Sequence, residues 1–177
     1  MTLRQLPQSV EAEVALLGTL LVYPETTRTV AQYGLVPRDF YDAKHRLLFE
    51  AMMEVIESDV LLDVTTLISK LNDKGIFNEV GGMEYLVHLT DGSGSPASLD
   101  YYVDIVQEKS QKRNLIETSQ RIAEISFDGS TDVQELLDRA EKSIQEIAQS
   151  RRTEEMQKGP DVVDAVYQQI KDFGESG

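Results

Sequence analysis

The chain has 177 residues, 41% of them hydrophobic and none of them cysteine, which allows one modest core and excludes disulfides and thiolate chemistry. With 31 acidic residues against 17 basic and a net charge of −14, its surface repels a phosphate backbone, so tight nucleic-acid binding by the whole surface is not expected. The longest apolar run, residues 14–22, is interrupted by Gly18 and Thr19 and falls short of the roughly 20 residues that cross a bilayer. Residues 1–8 also lack the apolar stretch of a signal peptide, and a soluble cytoplasmic protein is expected.

Taken in order, almost every segment reads as helix and none shows the alternation of a strand, so an all-α fold is expected. Ser9 is placed to cap the first helix, with Glu11 and Glu13 near its positive end. Val10, Val14, Leu17 and Leu21 recur at helical spacing, reinforced by Leu16 and Leu20. Tyr23-Pro24 ends this helix, and a short one over 25–33 stops at Gly34, a left-handed C-terminal cap. Leu35-Val36-Pro37 reads as extended, because a residue before proline avoids the helical region. The next helix spans 42–57 and buries Leu47, Leu48, Ala51, Met52, Val55 and Ile56. Asp63 caps a helix over 64–74 that turns Val64, Leu67, Ile68 and Leu71 inward and ends at Gly75. Gly81-Gly82 precedes a short helix over 83–89 carrying Tyr85, Leu86 and Leu89. Residues 1–97 thus form a compact helical head, with Phe40, Tyr41 and Phe49 as core anchors.

Residues 91–96, Asp-Gly-Ser-Gly-Ser-Pro, form a hinge-like connector. A phosphate cradle would need a preceding strand and a following Lys with Ser or Thr, and neither is present. Ser98 caps a helix over 99–127, about eight turns long. Asp128-Gly129-Ser130 turns the chain, and Thr131 with Gln134 reads as a capping box for a second helix to about residue 149. The seam of this antiparallel hairpin (98–149) draws Val103, Val106, Leu115, Ile122 and Ile125 from the first helix. Val133, Leu136, Leu137, Ala140, Ile144, Ile147 and Ala148 answer from the second. Leu115 and Ile116 lie about 100° apart around their helix, so one partner helix cannot cover both. The hairpin must fold back on the head or pair with a second copy, and pairing through Leu115, Leu136, Leu137, Ala140, Ile144 and Ile147 is favoured. A polar linker over 150–160 leads to an amphipathic helix over 161–173 and a tail to 177. Its apolar face, Val162, Val163, Val166 and Ile170, is expected to dock on a surface the chain does not supply, which makes the chain the front part of something larger.

No residue pattern points to catalysis. His45 and His88 are the only histidines; neither has a metal-ligand partner at helical spacing, and both read as structural or surface residues. The abundant carboxylates come with no substrate-binding pattern. Lys109, Lys112, Arg113 and Arg121 share their helix with Glu108, Glu117 and Glu124 and read as a solvated face. No G-x-x-x-x-G-K-[ST] occurs, so no ATPase activity and no catalytic, cofactor or metal residues are expected.

Five collinear blocks carry a family resemblance: LPQSVEAEVALLGTLL at 6–21, LVPRDFYDAKHRLLFEAM at 35–52, LDVTTLISKL at 62–71, VGGMEYLVHL at 80–89 and YYVDIVQEKSQKRNLI at 101–116. Together they resemble the N-terminal domain of DnaB-type replicative helicases of bacteria and bacteriophages. The resemblance implies a helical head plus a hairpin, hairpins that pair, and six subunits forming a collar as a trimer of dimers. It implies docking of primase and of helicase loaders on that collar, and a linker helix, here 161–173, leading to a RecA-like motor. ATP and magnesium would belong to that motor, whose motifs are absent here. Primase docking is expected at apolar positions of the head and outer hairpin, namely Tyr85, Ile116 and Ile122. The alternative is a free-standing helical adaptor or regulator of a replication complex.

Overall fold

The computed structural model describes residues 4–158, with side chains for residues 4–150. The expected linker-helix face of Val162, Val163, Val166 and Ile170 lies outside the described residues. Among these, every regular element is helical: α1 (Val10–Val22), α2 (Thr26–Gln32), α3 (Ala43–Glu57), α4 (Val64–Asp73), α5 (Gly82–Asp91), α6 (Leu99–Phe127) and α7 (Val133–Lys158), with short 3-10 turns at Pro37–Asp39 and Pro96–Ser98. Contacts divide the chain into two units after Asn114, within α6.

In the first unit, several helix ends form where the sequence places them. The Ser9 side chain accepts from Ala12 N–H, and Asp42 accepts from Lys44 N–H. Asp63 and Thr66 cap each other reciprocally, backbone to side chain in both directions. Gly34 and Gly75 close α2 and α4 at φ 69° and 70°, the left-handed region that costs glycine nothing.

The core of the first unit is built around α1. Its residues 12–21 are buried all round, not along one stripe, while Val10 remains partly exposed. Helix α5 crosses α1 so closely that a Cβ on Gly18 would stand 2.0 Å from the Leu89 carbonyl oxygen. From α3 come Leu48, Phe49, Ala51, Met52 and Val55, and from α4 Leu67 and Leu71; each of these buried side chains larger than alanine contributes about 1.5–3 kcal/mol of burial. Phe40 and Phe49 are core anchors as expected, their rings tilted 37° to one another with centroids 4.9 Å apart. Tyr41 is not: its ring is exposed, 5.6 Å from the Arg113 guanidinium.

Four expectations are revised. Val103 and Val106 are buried in the head core with Leu99, not in the hairpin seam, so the head extends into the first half of α6 instead of ending at residue 97. The loop over 91–96 is fastened instead of hinge-like. Gly94 N–H donates to Thr19 Oγ1 at 3.0 Å, and a Cβ on Gly94 would strike the Tyr102 ring. Helix α7 starts at Val133, so Thr131 and Gln134 do not form its capping box; Gln134 instead donates to Asp138 one turn on. The helix also continues to Lys158, through most of the segment read as a polar linker.

Candidate interaction surfaces

The first unit contains a buried polar network at the meeting of α1, α3 and α5. Glu13 is 1% exposed, and its carboxylate accepts from Tyr41 N–H (2.8 Å), Asp42 N–H (3.2 Å) and His45 Nδ1 (2.8 Å). A carboxylate only accepts, so Nδ1 carries the proton. The other ring nitrogen, Nε2, meets the Tyr85 hydroxyl at 2.5 Å. Lys44 Nζ stands 3.9 Å from the centre of the Tyr85 ring. Burial, with the nearby Asp42 and Glu13 carboxylates, pushes the Tyr85 phenol up to about 12. The grouping resembles an acid–base relay, but His45 is fully buried with both nitrogens engaged, so it offers no atom to a substrate. Its role is to lock α3 and the 40–42 turn onto α1 and α5.

A second buried network holds the N-terminal arm and the turn before α3 against α6. Arg113, read from sequence as part of a solvated face, is 5% exposed. Its Nη1 donates to the Pro7 carbonyl and its Nη2 to the Asp39 carbonyl, both at 2.8 Å. The Asp39 side chain accepts from Ser110 Oγ and Val36 N–H. Burial raises the Asp39 carboxyl above its usual value, a shift opposed by the hydrogen bonds from Val36 and Ser110 and the charges of Arg38 and Arg113. Of the remaining basic residues on α6, Lys112 pairs with Glu108 across one exposed turn and Arg121 is exposed.

The second unit is the hairpin of late α6 and α7. The Asp128 carboxylate accepts from Ser130 N–H and Oγ, which lowers its pKa and fixes the turn. Ile122 and Ile125 face Leu136, Ala140 and Ser143 across a seam enclosing about 30 Å³. The six residues expected at a dimer face therefore separate. Leu136 and Ala140 line this seam within one chain, and Ile147 is half-buried. Leu115, Leu137 and Ile144 point to solvent, 46%, 59% and 48% exposed. Leu137 and Ile144 are seven residues apart and so share one face of α7. Phe127 and Val133, flanking the turn, are 90% and 68% exposed; Phe127 was not singled out in the sequence, although its place at a helix end beside Asp-Gly-Ser leaves it nothing to pack on.

The residues expected to receive primase are not equivalent. Tyr85 is half-buried with its hydroxyl held by His45, Ile116 is half-buried, and Ile122 lies in the hairpin seam. Among the described residues, no cluster of three or more His, Cys, Asp or Glu could hold a metal ion, and no helix is long and apolar enough to cross a membrane.

Comparison with known proteins agrees with this architecture. Residues 5–108 match the DnaB-like helicase N-terminal domain family. The replicative DNA helicase DnaC of Bacillus subtilis is 36% identical over 165 residues, 93% of this chain but 36% of that protein, so the chain spans about a third of its relative's length. The crystal structure of the N-terminal domain of DnaB helicase from Mycobacterium tuberculosis superposes with a TM-score of 0.75 at 30% identity, covering 80% of this chain and 99% of that one. A structure of a DnaB-like replicative helicase and its interactions with primase shares the fold, with a TM-score of 0.66 at 24% identity over 80% of this chain and 31% of that one.

Proposed function

Because the chain belongs to the DnaB-like helicase N-terminal domain family, we propose that it serves as the non-catalytic collar of a replicative DNA helicase. In this reading the collar assembles subunits, receives primase and loader proteins, and is coupled through residues 161–173 to an ATP- and magnesium-dependent motor outside this chain. The observation that carries the reading is the outward apolar set of the hairpin, Leu115, Leu137 and Ile144, on a unit too thin to bury it. An exposed heptad face on a two-helix hairpin finds cover in a second hairpin, giving a four-helix arrangement and a dimer from which a trimer of dimers is built.

Primase docking is assigned to Tyr85 on the head and to Ile116 and Ile122 on the hairpin. The neighbouring helicase whose structure includes its interactions with primase supports this choice of partner. Ile116 offers partly exposed apolar surface, Tyr85 offers a ring held in place by His45, and Ile122 sets the pairing of α6 with α7. The test is a calorimetric titration of the full chain with the helicase-binding domain of its cognate primase. Saturable binding that Ile116→Asp weakens, with helical content unchanged by circular dichroism, is the expected result. Absence of binding by the folded chain contradicts the docking role, and unchanged binding by Ile116→Asp removes Ile116 from the site.

A further inference from the structure

The turn from α3 to α4 is built to hold two apolar side chains out in water. The chain leaves α3 through Asp59, a non-glycine residue at φ 57°, in the left-handed region that redirects the backbone sharply. Val60 and Leu61 follow, 47% and 67% exposed, and Leu62 returns to the core. This segment is pinned on both sides. Ser58 N–H donates to the Glu54 carbonyl and Asp59 N–H to that of Ile56. Beyond the ridge, Thr66 Oγ1 donates to the Leu61 carbonyl while Thr66 and Asp63 cap each other. The two side chains thus sit on a ridge ordered before any partner arrives, which reduces the entropy lost on binding.

A cleft opens on each side of the ridge, and Val60 borders both. The larger, about 860 Å³, has Pro24, Ile56 and Leu62 among its apolar walls and, among the described residues, carries Glu25 and Asp59 against the single cation Arg28. The smaller, about 290 Å³, carries Asp73 against Lys70. Neither feature belongs to the hairpin or to the buried networks.

We propose that the α3–α4 ridge and its larger cleft form a second docking surface, for an apolar segment of a protein partner bearing Lys or Arg beside its apolar residues. The occupant follows from charge. Glu25 and Asp59 outnumber Arg28 at the cleft, and the chain as a whole carries −14. A second copy meeting this cleft with its own brings the same local acidic excess, unlike the apolar hairpin face through which copies are proposed to pair. The chain's own 161–173 segment, with Asp161, Asp164 and Asp172 against Lys171, is also acidic. Like charges facing each other are disfavoured, whereas a basic partner is steered in and held.

The probes are two synthetic peptides with the same Leu-Val-Leu-Leu centre, one flanked by arginines and the other by glutamates. Each is titrated into the isotopically labelled 177-residue chain and followed by backbone amide shifts. The arginine-flanked peptide is expected to move the amides of Thr27, Asp59, Val60 and Leu61, and to bind at least about tenfold more tightly than its acidic counterpart. Leu61→Ser, at an exposed site, and Glu25→Gln should each weaken it while leaving self-association unchanged. Asp59→Asn, which keeps a residue tolerant of the left-handed region, should do the same. Shifts centred elsewhere, equal affinity for the two peptides, or no binding of either would overturn the proposal. A loss of self-association in Leu61→Ser would identify a second copy as the occupant and also overturn it. The primase and hairpin tests do not depend on Leu61, so failure here leaves the collar reading standing.

Discussion

Replacing Glu13 with alanine removes the acceptor for two backbone N–H groups and for the His45 ring in a single step. A buried donor left without a partner costs about 1–3 kcal/mol, so Glu13→Ala should destabilise the chain by about 3 kcal/mol or more in urea unfolding, and Glu13→Gln by less. Helical pattern alone reads Glu13 as a favourable charge in a first turn. Its burial follows from α1 being apolar all round, with Ala12, Val14 and Ala15 adjoining it, a signal present in the sequence but easily taken for a wide stripe. Tyr85 carries a separate prediction. With its phenol pushed up to about 12 from an ordinary 10, the folded state keeps this proton where the unfolded chain has lost it. Its contribution is fully present below pH 10 and disappears as pH rises toward 12. An ultraviolet titration should show a late tyrosinate transition that Tyr85→Phe removes; a titration that the substitution leaves unchanged at high pH would contradict the network. Asp39 obeys the same rule in the acid range. Its raised pKa makes it a proton binder in the fold, so its contribution falls as pH rises above the ordinary aspartate value.

Several helix ends follow from local chemistry, and so Ser9 and Asp63 at starts and Gly34 and Gly75 at ends were readable. The capping of α3 by Asp42, in contrast, was not singled out, and the box expected at Thr131 did not form. Helix partners depend on tertiary packing, and there the pattern was ambiguous. Val103 and Val106 continue the apolar spacing of α6 into the hairpin, yet that helix changes partner near Asn114, and periodicity does not record which neighbour covers which turn. Arg113 was read as solvated for the same reason, since its two carbonyl partners, on Pro7 and Asp39, are distant in sequence. The crossing of α1 and α5 gives the sharpest test at this scale. A methyl on Gly18 must displace backbone at Leu89, so Gly18→Ala should cost about 3 kcal/mol, at the upper end for overpacking. Gly129→Ala meets nothing within 4 Å and should change the unfolding midpoint little. Equal effects of the two substitutions would mean that α1 and α5 are not in contact at Gly18.

For the whole molecule, the all-helical class, the head and the hairpin were legible from spacing, and the family from five collinear blocks. Less legible was which face of the hairpin looks outward, because Leu136 and Leu137 are neighbours of identical type. The structure sends Leu136 into the seam and Leu137 into solvent, and only the path of the antiparallel partner decides between them. The collar reading rests on what covers the outward set. Sedimentation equilibrium of the full chain against the Leu137→Asp/Ile144→Asp double variant tests it most directly. Both positions are exposed, so the variant should stay folded. The account predicts a concentration-dependent dimer for the native sequence and a dissociation constant raised at least about tenfold by the double substitution. A native chain that remains monomeric at every concentration, or a double variant that associates as tightly as the native chain, would contradict it.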